Sequence, residues 1–136
     1  MAREAFDAGQ LDLPMLQRID RLAERLPELI DEPLLPSLIH CDMWTGNIIV
    51  IRGRITGFIV PALCYADAEL ELAFSTLFGT FGQPFFKRYG KIRPIAEGFF
   101  EVRLDIYNLW YLPIHVRLFG GCYVESVERI LRRHSL

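Results

Sequence analysis

Apolar residues recur along this chain mostly at helical spacing. Leu16, Ile19, Leu22, Leu26 and Leu29 form one stripe, and Arg18, Arg21, Glu24, Arg25 and Glu28 cover the opposite face. That periodicity predicts an amphipathic helix over about residues 13–31. Asp12 supplies its N-cap, and Pro14 sits just inside, where a missing N–H does no harm. Residues 2–9 read as the tail of an earlier helix closed by Gly9. Glu32-Pro33-Leu34-Leu35-Pro36 stops the helix and links onward. Two β-type runs, 47–51 and 55–60, flank Arg52-Gly53-Arg54 and predict a hairpin ended by Pro61. Asp67 predicts the cap of a helix running to about Phe78, with Leu70, Ala73, Phe74 and Leu77 inward. A short helix rich in Phe and Tyr follows over 84–90, and Pro94 and Gly98 bracket a turn. A long helix is predicted over 99–119, kinked near Pro113 because proline removes a ladder donor. Gly120-Gly121 separates it from a last helix, 122–134. There Val124, Val127, Ile130 and Leu131 face inward, and Arg129, Arg132, Arg133 and His134 suit the C-terminal dipole. The sum is a mainly α fold with one small β-hairpin. It reads as one domain, with N-terminal helices over 1–36, a loop and hairpin over 37–61 and a helical core over 62–136.

Composition adds a partner to this picture. The chain has 136 residues, of which 51% are hydrophobic, and a mean hydropathy of +0.22. A monomer of this length needs less, so some apolar surface is expected to meet another chain, and a homodimer is the expected form. No run reaches the roughly 18 apolar residues of a membrane span. The first seven residues lack the apolar core of a signal peptide. A net charge of −2 does not favour nucleic acid. Cys41, Cys64 and Cys122 are odd in number and carry no CxxC spacing, so neither a zinc site nor a disulfide framework is expected. A reducing cytoplasm is the expected compartment.

Chemistry concentrates in residues 38–50. An apolar entry leads into His40-Cys41-Asp42-Met43-Trp44-Thr45-Gly46-Asn47, and an apolar run follows. Polar residues on a loop between rigid anchors are where reactive groups are commonly placed. Asp42 and Asn47 are spaced so that a carboxylate and an amide can turn to one substrate or metal. H-x-D-x-x-x-x-N is the catalytic-loop pattern of kinase-like phosphotransferases, with Asp as base and Asn as metal ligand. A different chemistry is also open. Cys41 lies between His40 and Asp42, and a thiol near an imidazole, either His40 or His115, can act as a nucleophile. Asp42 in an apolar pocket could serve as a general base. Each of these residues also has an ordinary structural reading: Cys41 as a small space-filler, His40 as a brace for the loop, His115 as a hydrogen-bonded core residue.

The same residues carry a family resemblance. Ile39-His40-Cys41-Asp42-Met43-Trp44-Thr45-Gly46-Asn47 resembles the H-G-D-[LVM]-W-[ST]-G-N motif of fructosamine/ketosamine kinases, in the aminoglycoside-phosphotransferase-like branch of the kinase-like fold. Gly57-Phe58-Ile59-Val60-Pro61-Ala62 is similar to the family's F-I-D-P-A. The stretch Tyr65-Ala66-Asp67-Ala68-Glu69-Leu70-Glu71-Leu72-Ala73 is similar to Y-x-D-x-E-x-[DE]-L-A, and Leu118-Phe119-Gly120-Gly121-Cys122-Tyr123 to the late L-F-G-G-x-Y. The resemblance covers the family's C-terminal, helical lobe. It implies Asp42 as base and Asn47 as metal ligand, with Trp44, Tyr65, Asp67 and Glu69 toward the substrate.

Departures cluster at the implied cleft. Val60 stands where the family has the aspartate that holds Mg²⁺ against nucleotide phosphates, and Cys41 stands where it has glycine. Valine cannot ligate a metal, so phosphoryl transfer should lose its main electrostatic clamp. The phosphate-binding lysine of the family's other lobe has no counterpart, since Lys87 and Lys91 lie in the wrong segment. Three readings follow. The chain is a C-lobe that has lost ATP-dependent transfer and binds a small ligand or a partner through its exposed cleft, with no cofactor and no metal. Alternatively it is a hydrolase of esters or phosphoesters built on Asp42, Cys41 and the histidines. As a third reading it is a fructosamine-kinase-like phosphotransferase that uses Mg·ATP.

Overall fold

The computed structural model describes residues 1–134. In chain order its elements are α1 (Ala2–Asp7), α2 (Leu13–Glu24), α3 (Leu26–Leu29), β1 (Ser37–Ile39), β2 (Ile48–Ile51), β3 (Arg54–Phe58), β4 (Cys64–Ala66), α4 (Ala68–Leu77), α5 (Gln83–Ile92), α6 (Leu104–Phe119) and α7 (Cys122–Arg133). Two compact units result. One joins Met1–Asp31 to the chain from Asp105 onward, and the other is Glu32–Leu104.

The first unit is all helix. Asp12 caps α2 as expected, its Oδ1 accepting from the Met15 N–H at 2.8 Å. Of the expected stripe Leu16 and Leu22 are buried, with Met15 beside them, while Leu26 is exposed, and α7 buries Val127, Ile130 and Leu131. Each such aliphatic side chain contributes about 1.5–3 kcal/mol by leaving water. Arg18 and Glu128 clasp α2 to α7 at 2.8 Å, and Arg117 clasps α6 to Glu4 of α1 at 2.8 Å. The single helix expected over 13–31 is interrupted at Arg25, and α3 starts afresh with Pro27 in its first turn. Proline has no N–H to continue the ladder, which accounts for the break. Pro113, by contrast, is buried inside α6, and the helix runs through it from Leu104 to Phe119. Residues 99–103, expected as the start of that helix, form a wider π-type turn before it.

The second unit carries two small antiparallel sheets rather than the one hairpin expected. The hairpin is there: β2 pairs with β3, Ile48 opposite Phe58 and Ile51 opposite Arg54, with a bulge between Ile49 and Val50. Arg52 and Gly53 both have positive φ, 51° and 74°. Two such residues make the tight turn whose twist matches paired strands. The strand ends at Phe58, two residues earlier than expected. The additional sheet joins β1 to β4, with Ser37 opposite Ala66 and Ile39 opposite Cys64. Arg103 grips Glu69 with two bonds of 2.7 and 3.1 Å, and both side chains are largely buried. The aromatic helix expected over 84–90 is α5, extended at both ends, with Phe81 and Phe85 stacked at 4.0 Å.

Candidate functional site

The β1–β4 ladder delivers the chain to the loop. Ile39, buried, is the last anchored residue, and the His40 carbonyl still accepts from the Ala62 N–H at 2.9 Å. The chain then turns, and the Glu71 carboxylate of α4 catches it. One Glu71 oxygen accepts from the N–H groups of both His40 and Cys41 at 3.1 Å, and the other accepts from His40 at 3.0 Å. Charge-assisted bonds of this kind hold a loop more firmly than neutral ones. A 3₁₀ turn over Thr45–Asn47 closes the loop and buries Asn47. From there the Asn47 Nδ2 donates to the Asp42 carbonyl at 2.9 Å and to Asp42 Oδ2 at 2.7 Å. The amide thus fixes both the backbone and the carboxylate of Asp42. Gly46 leaves room for the Trp44 indole, which a Cβ there would displace.

Two positions on this loop and its neighbour have unusual backbone. Cys41 has φ 63° and Val60 has φ 54°. Side-chain-bearing residues other than Asn and Asp rarely enter this left-handed region, and a β-branched residue there is strained. Val60 is also 67% exposed. The loop after β3 is held by His40, whose Nε2 donates to the Ile59 carbonyl at 3.0 Å, and by the Ile59 N–H on the Asn47 carbonyl at 3.0 Å. With Nε2 carrying the proton, the buried Nδ1 of His40 makes no hydrogen bond. Burial pushes the Cys41 thiol up to about 12, and the neighbouring Cys64 thiol and Glu71 carboxylate add to the shift. A thiol so strongly protonated is the opposite of an activated nucleophile.

The expected site residues therefore separate by task. Asp42, Asn47, His40 and Cys41 come together on one loop. Asp67 caps α4, accepting from the Glu69 N–H at 2.9 Å. Glu69 binds Arg103 and the Ala96 N–H, so its carboxylate braces the segment after α5. Trp44 and Tyr65 stay exposed, with Trp44 against the Phe78 ring at 6.0 Å. His115 lies in the helical unit, its Nδ1 donating to the Tyr111 carbonyl at 2.9 Å and its ring beside Tyr123. Glu71 was missed as a site residue. The signal for it was the third acidic position of Asp67-Ala68-Glu69-Leu70-Glu71, one helical turn beyond the cap.

The divalent cation that the resemblance implies does not fit this donor set. Asp42 is the one carboxylate on the loop, and position 60 offers an aliphatic side chain to solvent. Among the described residues no three His, Cys, Asp or Glu side chains are grouped to hold a metal ion.

Comparison with known proteins places the fold first. A crystal structure from Thermobifida fusca named for fructosamine-3-kinase matches with a TM-score of 0.81 and 30% identity, over 97% of this chain and 46% of that one. A second, from Haemophilus somnus, matches at a TM-score of 0.74 and 27% identity, over 96% of this chain and 44% of that one. The class is thus the helical part of a kinase-like fold. The family model described as fructosamine kinase matches residues 6–135, and this chain belongs to that family. A Lactiplantibacillus plantarum relative named "Probable ketoamine kinase" is 39% identical, covering 73% of this chain and 35% of its own length. The mouse "Ketosamine-3-kinase" is 34% identical over 91% of this chain and 40% of its own length. The chain therefore spans less than half the length of these relatives. Among the described residues no helix is long and apolar enough to cross a membrane.

Proposed function

We propose that this chain is a ligand-binding member of the fructosamine kinase family that holds a ketoamine sugar at its Asp42 loop and does not transfer phosphate to it. One contrast carries the reading. The Asp42–Asn47 pair is complete at 2.7 Å and its loop is tied down by Glu71, while the neighbouring position 60 holds an exposed valine. A fixed, half-exposed carboxylate is suited to accept hydrogen bonds from sugar hydroxyls, and Trp44 and Tyr65 offer exposed aromatic faces in the same unit. The ligand class comes from what the relatives' names say they act on. Loss of transfer follows from chemistry: without a second carboxylate, charge developing on a transferred phosphoryl group has no metal clamp.

Calorimetric titration with 1-amino-1-deoxyfructose tests the binding half, and phosphorus NMR of the same mixture with Mg·ATP tests the other half. Saturable heat with no new phosphate ester is expected. A flat titration removes the ketoamine, and a new sugar-phosphate signal removes the claim of lost transfer. The expected homodimer belongs to the same proposal. Ile49, Val50, Ile51, Ile55 and Phe58 leave the hairpin 41–58% exposed and apolar, which supports pairing. Sedimentation showing monomer alone at micromolar concentration would remove it.

A further inference from the structure

Two thiols beside the loop are placed to react with each other. Ile39 is the cross-strand partner of Cys64, and the strands stay paired one step further, through the Ala62 N–H on the His40 carbonyl at 2.9 Å. Cys41 lies two residues beyond Ile39, where the chain leaves the ladder at φ 63°. The Cys64 thiol is its neighbour and adds to the upward shift of the Cys41 thiol. Both are free thiols, Cys64 exposed and Cys41 half-buried. The third cysteine, Cys122, belongs to the other unit, where it opens α7.

We propose that Cys41 and Cys64 are an oxidisable dithiol that closes to an intramolecular disulfide and ties the Asp42 loop to β4. The oxidant is a peroxide. Cys64, the exposed thiol, meets it first. Its thiolate attacks one peroxide oxygen, the O–O bond breaks, hydroxide leaves and a sulfenic acid forms on Cys64. The Cys41 sulfur then attacks the Cys64 sulfur, the S–O bond breaks, and the departing oxygen leaves as water with the Cys41 proton. In sum, two thiols and one peroxide give one disulfide and two waters, with two electrons passing from sulfur to oxygen. Burial keeps Cys41 protonated and so makes the second step the slow one, which nearness of the two residues at the end of one ladder offsets. The link closes the segment from 41 to 64, which contains Asp42, Asn47, the hairpin and Val60. Because it concerns only the thiols, this inference stands or falls independently of the ketoamine.

The test is to treat the whole chain with stoichiometric hydrogen peroxide, then count and map free thiols by alkylation and mass spectrometry. Three free thiols should fall to one, with Cys122 the residue still alkylated. The mass should drop by two hydrogens, a peptide joining Cys41 to Cys64 should appear, and dithiothreitol should restore all three thiols. Cys122→Ser should form the same link, and Cys64→Ser should leave Cys41 alkylatable. Persistence of all three thiols, oxidation that stops at a sulfenic or sulfinic acid on Cys64, or a link through Cys122 or between chains would each overturn the proposal.

Discussion

The two units differ in how they use the left-handed region of backbone space. In the helical unit every described residue there is a glycine: Gly9, Gly120 and Gly121. In the loop-bearing unit three side chains enter it: Cys41, Arg52 and Val60. Arg52 is explained by the tight turn it forms with Gly53. Cys41 and Val60 are not turn residues of a hairpin. They lie at or beside the points where the chain is fastened: Glu71 holds the Cys41 N–H, Asn47 holds Asp42 and His40 holds Ile59. Each costs about 1–3 kcal/mol, and such strain persists only where surrounding bonds over-determine the backbone. One unit, then, follows its local preferences, and the other is held against them around one carboxylate. Both strained positions are also where the sequence departs from the family's Gly and Asp, the residue types that tolerate this backbone best.

Removing the fastening should have the largest effect. Glu71→Ala leaves the N–H groups of His40 and Cys41 without their acceptor, and unfolding in urea should show a loss of about 2 kcal/mol. Relieving the strain should act in the other direction. Cys41→Gly and Val60→Asp should each raise stability by about 1 kcal/mol, because the new residue accepts the φ already present. The same φ in the helical unit gives the opposite sign: Gly9→Ala should lower stability by about 1 kcal/mol. If Val60→Asp and Gly9→Ala shift the melting temperature in the same direction, the contrast between the units fails.

A smaller effect belongs to the helical unit. Arg18, and after it Arg132, holds the Glu128 carboxyl below its usual value of 4.5. A carboxylate depressed in the folded state adds stability above its unfolded value. That contribution fades as pH falls below about 4.5 and through the lower folded value. Since both partners are partly exposed, Arg18→Ala should cost only about 0.5–1 kcal/mol at pH 7. The difference from the parent should shrink in acid, as read from urea unfolding at pH 7 and pH 3.

Local pattern made most of the helical unit legible. The stripe from Leu16 to Leu22 and the Asp12 cap depend on neighbours three and four residues away, so sequence displays them. Pro27 ends a helix that the apolar stripe alone would continue, and Pro113 lies inside the long helix as expected. In the second unit Arg52-Gly53 announced the hairpin. The β1–β4 pairing stayed hidden because two three-residue strands, separated by the whole hairpin, carry no periodicity of their own. Within the site, the spacing of Asp42 and Asn47 pointed to a pair the structure contains. Glu71 escaped because it acts on backbone N–H groups, and only tertiary structure shows which ones. Asp67 caps its helix as its position predicts, and the pairing of Glu69 with Arg103, 34 residues on, is visible only in the fold.

Asp42 carries the account, so its own substitution is the most direct test. Asp42→Asn keeps the size of the side chain and removes its charge. Saturation-transfer NMR from the protein to 1-amino-1-deoxyfructose should light up sugar protons with the parent chain and lose that signal with Asp42→Asn. Equal transfer in both proteins, or none in the parent, would contradict the assignment of this loop as the ketoamine site.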